Sequence, residues 1–299
     1  MLIAILKSMR PHQWAKNTLI FGPLLFALKL TDPHAICMSF IAFLCFCMLS
    51  GSVYVLNDLV DVEEDREHPH KRFRPIASGA FPEKIAWKFW PTMALVALGI
   101  MATLSWTSAG IAAIYFVINL GYSFKLKKVP YIDVALIASG FLLRVLIGIT
   151  VINVYISRWI LPCTFLLALY LALGKRRHEL ATYGSETITR SVLKHYNIKK
   201  LDLALGIIAS LTVLAYCGYT LDPETLKKFK TPYLIYTIPM IVFAIVRFHQ
   251  LMEKKGDTES PTQELLRDIP SLLNVLLWVA VVIYILYTQP GSGLLCGSG

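Results

Sequence analysis

The sequence predicts an all-α, polytopic membrane protein with nine transmembrane helices. Three observations lead there. Apolar runs long enough to cross a hydrocarbon core of about 30 Å recur along the whole 299-residue chain. Only 16% of the residues are charged and 56% are hydrophobic, against about 25% charged in a soluble domain. Most of the 29 lysines and arginines gather in the short stretches between apolar runs, as topology requires. A transmembrane barrel would alternate apolar and polar residues, and these runs are continuous. A net charge of +10 in a soluble protein would point to nucleic acid. Here it reads as orientation, and no nucleic-acid partner is expected.

In chain order the spans fall near 18–31, 35–56, 85–106, 108–122, 132–152, 158–174, 201–221, 231–252 and 270–288. Pro130, Pro162, Pro232 and Pro270 punctuate their ends. No linker divides the chain, so residues 1–290 read as a single membrane domain, followed by a Gly/Ser-rich tail at 291–299. Residues 1–17 lack the apolar core of a signal peptide. The six cysteines are scattered without metal-ligand spacing and read as reduced, buried thiols. The basic stretches include Lys7 to Lys16, Arg66 to Arg74, Lys125 to Lys128, Lys175 to Lys200 and Lys254 to Arg267. All fall on one side of a nine-span topology. That side is expected to be the cytoplasmic face of the plasma membrane, with the N-terminus inside. Association with further copies of the chain is compatible with this pattern.

The chemistry concentrates where the second span ends. Asn57 and Asp58 are followed by Asp61 and Asp65, a carboxylate spacing of three and four. On a helix that spacing puts three carboxylates on one face. Like charges repel, and desolvation at a membrane boundary is costly. A bridging cation removes the conflict. Oxygen ligands favour a hard ion, and Mg²⁺ commonly takes one or two carboxylates plus substrate phosphates. The alternative is an acidic helix end paired with neighbouring bases. Lys71, Arg72 and Arg74 follow at once, then Pro75 and Gly79. Bases this close to carboxylates suit a polyphosphate, with Arg contacting phosphate in bidentate fashion. His68 and His70 flank one proline without thiolates and read as hydrogen-bonding or surface residues.

Other segments offer secondary contacts. Tyr122 and Lys127 precede the fifth span, and Asp133 lies near its start. Arg144 lies inside that span, where a charge is expensive unless it faces the bundle interior. It is a functional candidate, or half of an ion pair with an acid such as Asp133. Lys175, Arg176 and Arg177 close the sixth span, with Glu179 beside them. Near the N-terminus, Trp14 beside Arg10 and Lys16 reads as an interface anchor. Gln13, Lys16 and Asn17 are within reach of a lipid headgroup.

The run Asn57-Asp58-x-x-Asp61-x-x-x-Asp65 resembles the first aspartate-rich motif of the UbiA superfamily of intramembrane prenyltransferases. The similarity extends from Arg10 to the ninth span. It implies a nine-helix bundle that binds a diphosphate through Mg²⁺. The stretch Asp61 to Gly79, with Gln13 to Asn17 and Leu173 to Glu179, resembles the branch of decaprenyl-phosphate phosphoribosyltransferases. That implies phosphoribosyl pyrophosphate as donor and a polyprenyl phosphate as acceptor. An aromatic prenyltransferase using a prenyl diphosphate is the alternative. Those enzymes carry a second aspartate-rich motif where this chain has Lys175, Arg176 and Arg177. Bases in place of carboxylates favour substrates with additional phosphate groups.

Overall fold

The computed structural model describes residues 1–155, 157–183, 193, 195–253, 264–265 and 267–288, with Lys128 and Tyr183 described by their backbone alone. Arg190, Lys194, Lys254 and Lys255, which belong to the basic stretches, and the 291–299 tail lie outside the described residues. The described elements are helical. They are α1 (Leu2–Ser8), α2 (Gly22–Phe26), α3 (Pro33–Val60), α4 (Val62–Glu67), α5 (Glu83–Leu104), α6 (Trp106–Phe124) and α7 (Ile132–Val151). Then follow α8 (Ile160–Tyr183), α9 (Ile198–Leu221), α10 (Pro223–Phe229), α11 (Ile238–Glu253) and α12 (Ile269–Tyr287). A long 3₁₀ run covers Pro11–Phe21.

Seven described segments are long and apolar enough to cross a membrane: α3, α5, α6, α7, α9, Tyr233–Glu253 and α12. The chain is a multi-pass membrane protein. Two predicted spans take other forms. The span near 18–31 divides into the 3₁₀ run and α2, with Pro23 in the first turn of α2, where its missing N–H is tolerated. The span near 158–174 continues as α8 through Lys175, Arg176 and Arg177 to Tyr183, so the basic run is helical rather than a loop.

Polar side chains set the helix starts. Asp32 accepts hydrogen bonds from the backbone N–H groups of His34 and Ala35 and begins α3. Ser105 accepts from the N–H of Ser108, and this single residue separates α5 from α6. Asp268 caps α12 and takes both a bidentate Arg247 pair and the Ser271 hydroxyl. The Arg247 hydrogen bond holds the Asp268 carboxyl well below the usual carboxylate range.

Two compact units emerge. The first comprises residues 1–127 and 140–155. There α3 packs on α5 and α6, with Phe46, Leu49, Val53, Met101, Tyr115 and Ile147 in the core. Gly148 on α7 lies against the 3₁₀ run. A Cβ there would overlap the Ile20 carbonyl oxygen and crowd Pro23. Backbone cannot yield as a flexible side chain does. Gly148→Ala should therefore destabilise the protein by about 1–3 kcal/mol, read as a lower melting temperature and a smaller monodisperse fraction after solubilisation. The second unit comprises residues 128–139 and 156–299. There α8, α9 and α11 enclose Val134, Tyr170, Leu173, Leu201, Leu205 and Phe248. Its outward faces are apolar: Leu203, Ile207, Leu211 and Leu214 on α9, and Leu273, Leu276 and Leu277 on α12, are all exposed. In water such stripes would be a liability, and in lipid they are the required surface.

Candidate active site

The acidic motif lies in the first unit, at a break in the helix. α3 ends at Val60, Asp61 adopts φ −97° and ψ 11°, and α4 starts at Val62. The expectation of three carboxylates on one continuous helix is corrected accordingly. The turn is tight enough to keep near-helical spacing, since Asp61 N donates to Asn57 O at 3.0 Å and Asp65 N donates to Asp61 O at 2.8 Å. Asp58 and Asp65 are buried at 2% exposure each. Asp61, whose side chain is 29% exposed, opens towards solvent. Asn57 is half-buried beside them.

Each carboxylate has a basic partner. Arg74 Nη1 bridges two of them, at 2.7 Å from Asp65 and 3.2 Å from Asp58. Arg10 Nη2 reaches Asp58 at 2.5 Å, and Lys127 Nζ reaches Asp61 at 2.5 Å. The three bases come from three separate segments and are 23–30% exposed at the side chain. The local fold delivers Arg74. His68 Nδ1 accepts from the backbone N–H groups of His70 and Lys71, closing the turn after α4. Burial and the nearby charges of Lys71 and His70 lower the His68 pKa, favouring the neutral ring that such an acceptor requires. Arg74 N then donates to Lys71 O, and Gly79, at φ 78°, turns the chain towards α5. Arg66 on the same turn bridges Glu63 and Glu83. Lys71 is half-buried, and Arg72 is exposed with its guanidinium over the Phe73 ring.

The donor set fits a hard divalent ion. It is built from carboxylate oxygens, two of them converging on a single cationic nitrogen of Arg74. No group of three acidic, His or Cys side chains among the described residues forms a ready-made metal cage.

Arg10 is the residue that sequence reasoning missed. The sequence suggested an orientation signal. Forty-eight positions separate it from Asp58, and nothing in the local pattern announces the pair. Met9 packs against Gly51 on α3, where a Cβ would lie 3.0 Å from the Met9 side chain. That contact lays the N-terminal segment along α3 towards Asp58.

Several other predicted contacts are committed elsewhere. Asn17 is buried, donates to Ser50 and Cys47, and accepts from Arg144 Nε at 2.8 Å. It cannot also serve as an exposed headgroup contact. Arg144 donates to the Gly140 carbonyl at 2.7 Å and lies about 5 Å from the ring centroids of Phe46, Tyr115 and Phe141. Its stabilisation is therefore an amide, a carbonyl and aromatic faces, in place of the acid partner anticipated. Gln13, Lys16 and Tyr122 are half-buried.

In the second unit, Arg176 is 2% exposed and is bound by Asp133 at 2.8 Å and Glu179 at 2.7 Å. Tyr196 OH donates to the other Asp133 oxygen at 2.7 Å and accepts from Tyr131 N at 2.8 Å. The three-base run thus divides. Arg176 is neutralised inside, Arg177 pairs with Asp202 at 3.0 Å near the surface, and Lys175 is partly exposed, 4.0 Å from Glu179.

The chain has relatives of known family and fold. Residues 18–264 match the UbiA prenyltransferase family model. The chain is 33% identical over 295 residues to a decaprenyl-phosphate phosphoribosyltransferase of Corynebacterium glutamicum, covering 96% of this chain and 87% of that protein. It is 30% identical over 289 residues to the protein of the same name from Mycolicibacterium smegmatis, covering 93% and 91%. A UbiA homologue of Archaeoglobus fulgidus, solved with DMAPP and Mg²⁺, superposes with a TM-score of 0.72 at 17% identity over 95% of this chain and 99% of that one. A family model matched over most of the chain, together with relatives at 30–33% identity over more than nine-tenths of it, places this chain in the UbiA prenyltransferase family.

Proposed function

We propose that the protein transfers the 5-phosphoribosyl group from phosphoribosyl pyrophosphate to a polyprenyl phosphate of decaprenyl type, releasing pyrophosphate. The observation that carries this reading is the site's charge balance. Asp58, Asp61 and Asp65 are matched by Arg10, Arg74 and Lys127, in a chain with near full-length similarity to proteins named for that reaction. Asp58, Asp61 and Asp65 would hold Mg²⁺, which when bound neutralises charge on the diphosphate. Asn57 orients the diphosphate, and Lys71, Arg72 and Arg74 stabilise negative charge developing on the leaving group. The bond from the ribose C1 to the pyrophosphate oxygen breaks as a lipid phosphate oxygen bonds to C1 from the opposite face, inverting that carbon. The attacking phosphate is already ionised near neutral pH, so no strong general base is needed. Lys175 and Arg177 serve a phosphate of the sugar or of the lipid, and Arg176, fixed by Asp133 and Glu179, anchors the helical turn that carries them. The basic stretches orient the site towards the cytoplasm.

The test is a purified-protein assay with labelled phosphoribosyl pyrophosphate and a polyprenyl phosphate. Pyrophosphate release should require both substrates, stop with EDTA and return with excess Mg²⁺. Turnover confined to a prenyl diphosphate and an aromatic acid would replace this reading with aromatic prenyl transfer.

A further inference from the structure

The most unusual feature of the acidic site is how Arg10 is delivered to it. Arg10 occupies the left-handed region, at φ 52° and ψ 65°. Non-glycine residues rarely adopt it unless the surroundings impose it, and such residues cluster at functional sites. On one side Met9 is pinned against Gly51. On the other, Gln13 N donates to the Arg10 carbonyl at 2.8 Å as the 3₁₀ run starts at Pro11. The side chain thereby lies over the Tyr54 ring, 5.1 Å from its centroid, and meets Asp58. Asp58 is almost wholly buried, whereas Arg10 keeps a quarter of its side chain open to solvent. The exposed quarter of the Arg10 side chain stays open to solvent while Nη2 holds Asp58.

Asp58 also has a second base, since Arg74 contacts the same Oδ1. Arg74 is shared with Asp65, so two guanidinium groups serve two carboxylates, and Asp58 keeps a cationic neighbour when Arg10 leaves it. A divalent cation arriving alone meets carboxylates already covered by bases. A diphosphate arriving alone meets bases already committed to carboxylates. Both sets of contacts improve together when the cation takes the carboxylates and the bases turn to phosphate oxygens.

We propose that Arg10 is a diphosphate-binding residue of the donor site, parked on Asp58 as a tethered counter-ion and exchanged onto phosphate when a divalent cation takes that carboxylate. Metal and diphosphate therefore bind as a coupled pair. The inference rests on the aspartate cluster being a diphosphate site, and not on which donor carries the diphosphate.

Inorganic pyrophosphate, common to both donor classes, is accordingly the probe, so failure of the phosphoribosyl reading leaves the test intact. Full-length protein in nanodiscs is assayed in two ways: Mn²⁺ binding alone by equilibrium dialysis, and retention of labelled pyrophosphate with and without Mg²⁺. In the unaltered protein Mg²⁺ should raise pyrophosphate affinity more than about tenfold, while Mn²⁺ alone binds weakly. Arg10→Gln should bind Mn²⁺ alone about threefold or more tighter, and its Mg²⁺-dependent pyrophosphate affinity should fall about tenfold or more. These opposite signs are the signature, because a purely structural arginine would weaken both. Both affinities falling together, or neither changing, overturns the proposal. Should Arg10→Gln not fold, Arg10→Lys decides. It should keep metal binding weak and retain a reduced but measurable Mg²⁺ enhancement. A lysine variant with no enhancement, or with the full unaltered enhancement, removes the exchange role of the guanidinium.

Discussion

Asp61→Asn should reduce pyrophosphate release by about 10²-fold or more while leaving the melting temperature nearly unchanged. Asp61 is the informative position because it separates chemistry from folding. Its side chain is 29% exposed, and its ion-pair partner, Lys127, is similarly open to solvent. Removing one charge from such a pair costs about 1 kcal/mol or less in stability. Asparagine keeps the shape and loses the anionic ligand. Asp58→Asn and Asp65→Asn should be equally inactive but harder to interpret. Both residues are buried and share Arg74, so either change leaves a guanidinium with a weakened partner. The measurement is turnover beside a melting curve on the same preparation. An Asp61→Asn protein that turns over within about threefold of the unaltered rate removes the metal role from this residue.

Arg176→Ala should have the opposite profile, with a loss of fold rather than a selective loss of rate. Its guanidinium is 2% exposed between Asp133 and Glu179, and Asp133 itself is fully buried. Removing one member of a buried ion group leaves uncompensated charge and costs about 3–5 kcal/mol. Asp133 also accepts from Tyr196, which in turn holds the Tyr131 amide, where Tyr131 takes a positive φ of 64°. Losing Arg176 therefore loosens the start of α7 as well. Arg177→Ala, one residue on, removes an ion pair with a partly exposed Asp202 and should cost less than about 1 kcal/mol. The pair of variants is compared by melting temperature and monodisperse yield. If Arg176→Ala melts like Arg177→Ala, the buried network is not what holds this part of α8.

The two variants also mark where sequence reasoning stops. Lys175, Arg176 and Arg177 are consecutive bases that look alike in the sequence. A helix points neighbouring residues about 100° apart, so adjacent positions meet different surroundings. Which of them faces the interior depends on Asp133, forty-three positions away, and on Glu179, one turn along α8. Asn17 shows the same effect. As a polar residue beside a tryptophan it resembles a headgroup contact, yet α3 and Arg144 consume its amide. Arg144 itself was legible as an interior residue, because a charge inside an apolar span is too costly to face lipid. Its aromatic and carbonyl partners were not.

The sequence by itself determined the class, the approximate positions of most spans and the acidic motif. Each depends on local composition or short spacing, and a bilayer imposes the same hydrophobic length on every crossing. The Asp58–Asp61–Asp65 cluster was visible for the same reason: three residues within eight positions are neighbours in any helical conformation. Tertiary structure alone decided the charge partners. The break at Asp61 opens that carboxylate to solvent, while Arg10, Arg74 and Lys127 converge on the cluster from separate segments. Ion pairs over such separations are set by which helices pack together, and packing is a property of the assembled core rather than of any short stretch of chain.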